Sequence, residues 1–148
     1  MFQKLYMEDF IIRDYTEYDY PALISLWEST GLGSAQRGDD ADVIQKTLKS
    51  GGKLLLLERR SDSGIIGSSW LTNDGRRIYL HHFGISPKNQ GHGFAGPLLK
   101  ASVDYARSLN LQIKIEVHRQ NKVALNLYKK FGFNYLGDYD VYIIRRFD

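Results

Sequence analysis

A chain of 148 residues with 43% apolar and 25% charged residues is long enough for one domain with a real core and too short for a second. Its net charge of +3 suits anionic ligands, yet no run of Lys and Arg exceeds two residues, which argues against nucleic acid as a partner. Cysteine is absent, which excludes disulfides, thiolate metal sites and a cysteine acyl carrier, and the aliphatic run Leu54 to Leu57 is far too short to span a membrane.

Met1 to Glu8 carries no apolar leader core, so the cytoplasm is the expected location. Glu8 to Tyr15 reads as a strand, and Tyr18 to Ser29 as a helix with Leu23, Ile24 and Trp27 on one face. A glycine-rich link, Thr30 to Gly38, follows. Asp39, Asp40 and Asp42 suit the N-terminus of a second helix, which Gly51-Gly52 stops. Lys53 to Arg60, Ile65 to Asn73 and Arg76 to Ile85 read as strands joined by Ser61-Asp62-Ser63-Gly64 and Asn73-Asp74-Gly75, turns short enough to force antiparallel pairing. Pro97 to Ala106 is an amphipathic helix ending near Asn110. Leu111 to His118 alternates as a strand, and the helical crossover makes it parallel to its predecessor. Asn121 to Lys130 is a helix stopped by Gly132, and Phe133 to Leu136 with Val141 to Arg146 closes the chain as a hairpin through Gly137-Asp138.

Between the third strand and the long helix lies Gln90-Gly91-His92-Gly93-Phe94-Ala95-Gly96. Its glycines let a ligand approach the backbone, and free N–H groups at a helix start favour phosphate. A dinucleotide loop fits poorly, because Ser86 to Gln90 separates strand from glycines and too little chain follows Glu116 for a second half. A Walker loop fails outright, since Gly96 precedes Pro97-Leu98 rather than Lys and Ser/Thr.

Gln90, Gly93 and Ala95 spell Gln-x-x-Gly-x-Ala, and Asn121, Ala124, Tyr128, Gly132 and Phe133 follow about 30 residues later. The two patterns, in this order, resemble the acyl-CoA diphosphate loop and the C-terminal motif of the GNAT superfamily of N-acetyltransferases. The resemblance is strong from Tyr79 to Phe133 and extends over most of the chain. It implies a GNAT-like α/β (α+β) fold, with a mixed, mostly antiparallel sheet of about six or seven strands and about four helices, in one domain over 1–148. It implies acetyl-CoA as co-substrate, without a metal, and an acceptor that is a small-molecule amine or a protein or peptide amine. A homodimer is compatible with it. The rival reading is a non-catalytic acyl-CoA sensor or interaction module of the same fold.

Acetyl transfer to an amine needs the thioester held and its carbonyl polarised, a proton removed from an alkylammonium of pKa about 10.4, and a proton for the leaving thiolate. With no cysteine, direct attack in a ternary complex is the natural route. By the resemblance, the diphosphate falls to the backbone of Gln90, Gly91, His92, Gly93, Phe94, Ala95 and Gly96, the pantetheine arm to the main chain of Phe83 and Ile85 between parting strands, and a further cofactor contact to Asn121. Lys88 or Lys129 is placed to meet the 3′-phosphate. Tyr128 is the expected general acid. The base is open: many relatives carry Glu where this chain has Tyr79, which leaves His81, Glu116 or a water chain. Strand alternation puts His81 on one face with Tyr79 and Phe83 and turns His82 to the other. Three converging metal ligands are not expected, because neighbouring strand positions diverge.

Overall fold

The computed structural model describes residues 5–148; the first four, part of the stretch read for a leader, lie outside them. In chain order the regular elements are β1 (Phe10–Asp14), α1 (Tyr20–Thr30), α2 (Ala41–Lys49), β2 (Lys53–Arg59), β3 (Ile65–Asn73), β4 (Arg77–Ile85), α3 (Ala95–Ser108), β5 (Gln112–Ile115) and α4 (Lys122–Lys130). The strands form one sheet in the order β1-β2-β3-β4-β5, with antiparallel pairs up to β4 and a parallel β4–β5 pair across the α3 crossover.

The run Leu54 to Leu57 in β2 is buried throughout, as expected of a strand covered on both faces. Leu54 and Leu56 pack with Leu23, Trp27, Ile44 and Trp70 beneath α1 and α2. Leu55 and Leu57 pack with Phe94 and Leu98 of the α3 side. The α3 layer continues into Leu99, Ala106 and Tyr128, which cover Leu71, Ile78 and Leu80. Local chemistry sets the helix ends. Asp40 caps α2 by accepting from Val43 N at 2.9 Å, Asn121 caps α4 by accepting from Ala124 N at 3.2 Å, and Gly31 closes α1 at φ +69°.

Two expectations about the sheet are corrected. The C-terminal hairpin does not form: residues 133–148 have no ladder, and Tyr135, Leu136, Val141, Tyr142, Ile143 and Ile144 are exposed. The only main-chain bond within that stretch, among those described, is Tyr139 N to Gly137 O. A two-stranded ribbon is marginal in water unless a third strand or a helix covers it, so turn residues alone do not secure one. The described sheet therefore has five strands rather than six or seven.

The second correction concerns β4. Ser68 pairs with Gly84 and Trp70 with His81, so β4 spends three residues where β3 spends two. This is a β-bulge, and His82 within it has φ +44°, a left-handed backbone that non-glycine residues rarely adopt. One extra residue flips side-chain parity downstream of it. His82 thus joins Tyr79 and His81 on the α1/α2 face, beside Trp27 and Trp70, whereas Phe83 turns to the α3 face against Tyr128.

Candidate active site

β4 and β5 pair only from Arg77↔Gln112 to Leu80↔Ile115 and then part. Beyond Leu80 the β5-facing edge of β4 has no ladder partner among the described residues, and a cavity of about 340 Å³ opens in the gap. Its walls include Tyr79 to Phe83 from β4, Ile115 to His118 from the β5 side, and Asn121 and Tyr128 from α4. Because the gap passes through the sheet, the cavity meets both layers. Tyr128 reaches it from the α3/α4 side, and His81 and His82 reach it from the α1/α2 side.

The glycine loop lies at the end of β4 on the α3 side. Phe94 anchors it, buried and tilted against Phe10 at 4.2 Å between ring centroids. Buried Asn89 donates to Ser86 Oγ at 2.7 Å, and the side-chain amide of Gln90 donates to Ile85 O at 2.9 Å. Gly91 and Gly93 hold φ of +79° and +81°, a conformation open to glycine at little cost. No described residue accepts a hydrogen bond from the amides of Gly91, His92, Gly93, Phe94, Ala95 or Gly96. A row of unspent donors at the start of a 14-residue helix fits an anionic diphosphate. The exposed loop positions, His92 among them, leave it accessible. Lys88 and Lys129 are exposed charges.

Tyr128 is 6% exposed and packs edge-on to Phe83 and against Phe133, with no hydrogen bond from its hydroxyl to another described residue. Burial pushes its phenol up to about 12, so it keeps its proton across the neutral range. Asn121 stands at the cavity as the α4 cap. Glu116 also lines the cavity and is exposed.

The two histidines differ. His81 is pushed down to about 4, first by burial and then by the neighbouring His82, against a smaller upward pull from Asp39. Its Nε2 is hydrogen-bonded to Thr72 Oγ1 at 2.8 Å and its ring stacks on Tyr79. His82 instead packs against the stacked pair Trp27 and Trp70, with Nε2 at 3.0 Å from Asp39 Oδ2. Trp27 Nε1 donates to Ser68 Oγ at 2.9 Å, and Ser68 Oγ donates to the carbonyl of His82 at 2.8 Å, which clamps the bulge from below. Sequence reasoning missed Asp39, Thr72, Ser68 and the orientation of His82. The only local hint was the glycine-rich approach to Asp39. Tyr79, in the position where a carboxylate was sought, accepts from Lys114 Nζ at 2.7 Å.

Among the described residues no group of three His, Asp or Glu is arranged to hold a metal, and no helix is long and apolar enough to cross a membrane. A family model described as the acetyltransferase (GNAT) family matches residues 5–133. Among solved structures, an acetyltransferase from Streptococcus agalactiae superposes with a TM-score of 0.76 at 19% identity, covering 93% of this chain and 92% of that one. A GNAT family acetyltransferase from Elizabethkingia anophelis with acetyl-CoA bound gives a TM-score of 0.61 at 23% identity, over 86% and 77%. A predicted acetyltransferase from Clostridium acetobutylicum with acetyl-CoA gives 0.70 at 17% identity, over 90% and 96%. At these identities the likeness is one of fold.

Proposed function

The chain belongs to the GNAT acetyltransferase family, and from that premise we propose that it transfers an acetyl group from acetyl-CoA to a primary amine by direct attack with both substrates bound. The observation that carries the reading is the parting of β4 and β5 beside a loop of unspent amides. The loop from Gln90 to Gly96 fits a diphosphate, and the edge of β4 at Phe83 and Ile85, which has no ladder partner on the β5 side among the described residues, fits an extended amide-bearing arm. Acetyl-CoA supplies the acyl group as a thioester.

The chain's own residues do the rest. Main-chain N–H groups along the bulged edge polarise a carbonyl placed in the gap, as oxyanion-hole donors do. Tyr128, protonated at neutral pH and lining the cavity, gives a proton to the departing sulfur. The proton on the attacking nitrogen leaves toward the opposite wall, where His81 and His82 stand. Both sides of the exchange are thus provided for, one in each layer of the fold.

Incubating the protein with acetyl-CoA and a panel of benzylamine, L-lysine, spermidine and an alanine-ended peptide, with detection of free thiol, tests the reading. Amine-dependent thiol release is expected. Tight acetyl-CoA binding without release with any amine would favour the sensor reading instead.

A further inference from the structure

The α1–α2 loop ends on a partly buried carboxylate that faces His82 of the sheet. Asp39 Oδ2 accepts from Ser34 N at 3.1 Å and stands 3.0 Å from His82 Nε2, with the two side chains only 14% and 19% exposed. The carboxylate lies off the ring's N–H axis, so Nε2 is buried without a straight hydrogen bond. Buried polar atoms left short of a partner are uncommon and often mark function. Nδ1, by contrast, is not sealed: it has no partner among the described residues, and the ring lines the cavity.

The surroundings look built to keep this pair. Gly33 has no Cβ, and one placed there would stand 2.6 Å from His82 Nε2 and closer still to Asp39 Oδ2. Trp27 and Trp70 wall the ring, and the bulge holds His82 at a strained φ of +44°. Strain of this kind persists where surrounding structure enforces it, and it clusters at active sites. Were the bulge absent, His82 would point into the α3 layer, away from Asp39.

We propose that His82, oriented by Asp39, is the general base that deprotonates an amine arriving as its ammonium. The proposal rests on the acetyltransferase reading above and deepens it. Asp39 holds the proton side of the imidazole at Nε2 and stabilises the imidazolium formed in the step, leaving the Nδ1 lone pair toward the cavity. Nδ1 takes one proton from the ammonium as an N–H bond breaks, and the freed electron pair forms the C–N bond as the C–S bond breaks. An ammonium loses two protons in becoming an amide. The first passes through His82 to solvent, and the second balances the one taken up by the sulfur. His81 does not compete, because it stays neutral and tied to Thr72. The other titratable groups facing this space are Asp39, Tyr79, Glu116, His118 and Tyr128.

The test compares wild type with His82→Asn, a residue tolerant of left-handed backbone, and with Asp39→Asn. Thiol release is followed with acetyl-CoA and whichever of the four amines wild type turns over best. For His82→Asn, kcat should fall by about 100-fold or more, the acidic limb of the kcat/KM profile should disappear, and acetyl-CoA affinity should stay within about twofold. Asp39→Asn should lower kcat by about tenfold or more with acetyl-CoA affinity likewise kept. In the free protein, nitrogen-15 NMR of the imidazoles should find neutral His82 protonated at Nε2, a readout independent of turnover and available even if a variant folds poorly. A kcat for His82→Asn within about threefold of wild type with the acidic limb intact would overturn the proposal, as would a ring proton on Nδ1. If wild type itself neither binds acetyl-CoA nor releases thiol, the transferase reading falls, and this assignment falls with it.

Discussion

Gly93 separates two roles that glycines in ligand loops combine. It holds φ +81°, and a Cβ built on it meets nothing within 4 Å. Gly93→Ala therefore creates no clash within the protein, and its structural cost is the left-handed backbone alone, about 1–2 kcal/mol. At about 2–4 °C per kcal/mol for a chain of this size, melting should fall by about 2–8 °C. The added methyl should also crowd the unspent amides, lowering acetyl-CoA affinity by about tenfold or more, or about 1.4 kcal/mol. Gly93→Asn is the control. Asn tolerates this backbone better than Ala, so melting should recover part of the loss, while its larger side chain keeps affinity low or lowers it further. Gly93→Glu adds a negative charge and should abolish binding measurable by titration calorimetry. If affinity instead tracks melting across the series, so that Asn restores both, the glycine is only a conformational residue and the diphosphate site is elsewhere.

Tyr128→Phe should leave acetyl-CoA affinity near wild type and lower kcat by about tenfold or more; an unchanged kcat would remove this hydroxyl from the chemistry. His81 carries a pH signature. Its ring is held neutral down to about 4 in the fold, against 6.5 when solvated, so the unfolded chain binds the extra proton between those values. Stability from this group is complete above pH 6.5 and declines by up to about 3 kcal/mol as pH falls toward 4. Urea titrations of wild type and His81→Gln at pH 7 and pH 4.5 check this: the variant should lose less on acidification, and equal losses would refute it. Trp27→Phe removes the donor to Ser68 Oγ beneath the bulge and should cost about 1–3 kcal/mol, read as a lower urea midpoint. An unmoved midpoint would show that the clamp contributes nothing.

Much of the fold was legible because its signals are local. Turns at Ser61 to Gly64 and Asn73 to Gly75 force hairpins over a span of a few residues, and the helix-borne crossover makes β5 parallel. The glycine loop was equally readable, since its glycines act through their own backbone. The C-terminal hairpin misled for the complementary reason: the apolar run Val141 to Ile144 has strand character, but a strand needs a neighbour, and none stands beside it among the described residues.

The histidine side of the cavity was not legible. Alternation along β4 places His81 and Phe83 together and His82 opposite, and nothing in Leu80-His81-His82-Phe83 announces an extra residue. The bulge arises from how β4 registers on β3, with Trp27 and Ser68 holding the carbonyl of His82 from another layer. Asp39 reaches that histidine only because α1 and α2 stack on the same face of the sheet. Composition, spacing and turn chemistry thus determined the scaffold, the glycine loop and the position of Tyr128 on its helix. Tertiary packing decided which side of the sheet each histidine faces, because parity along a strand is a local property only until a long-range pairing shifts it by one.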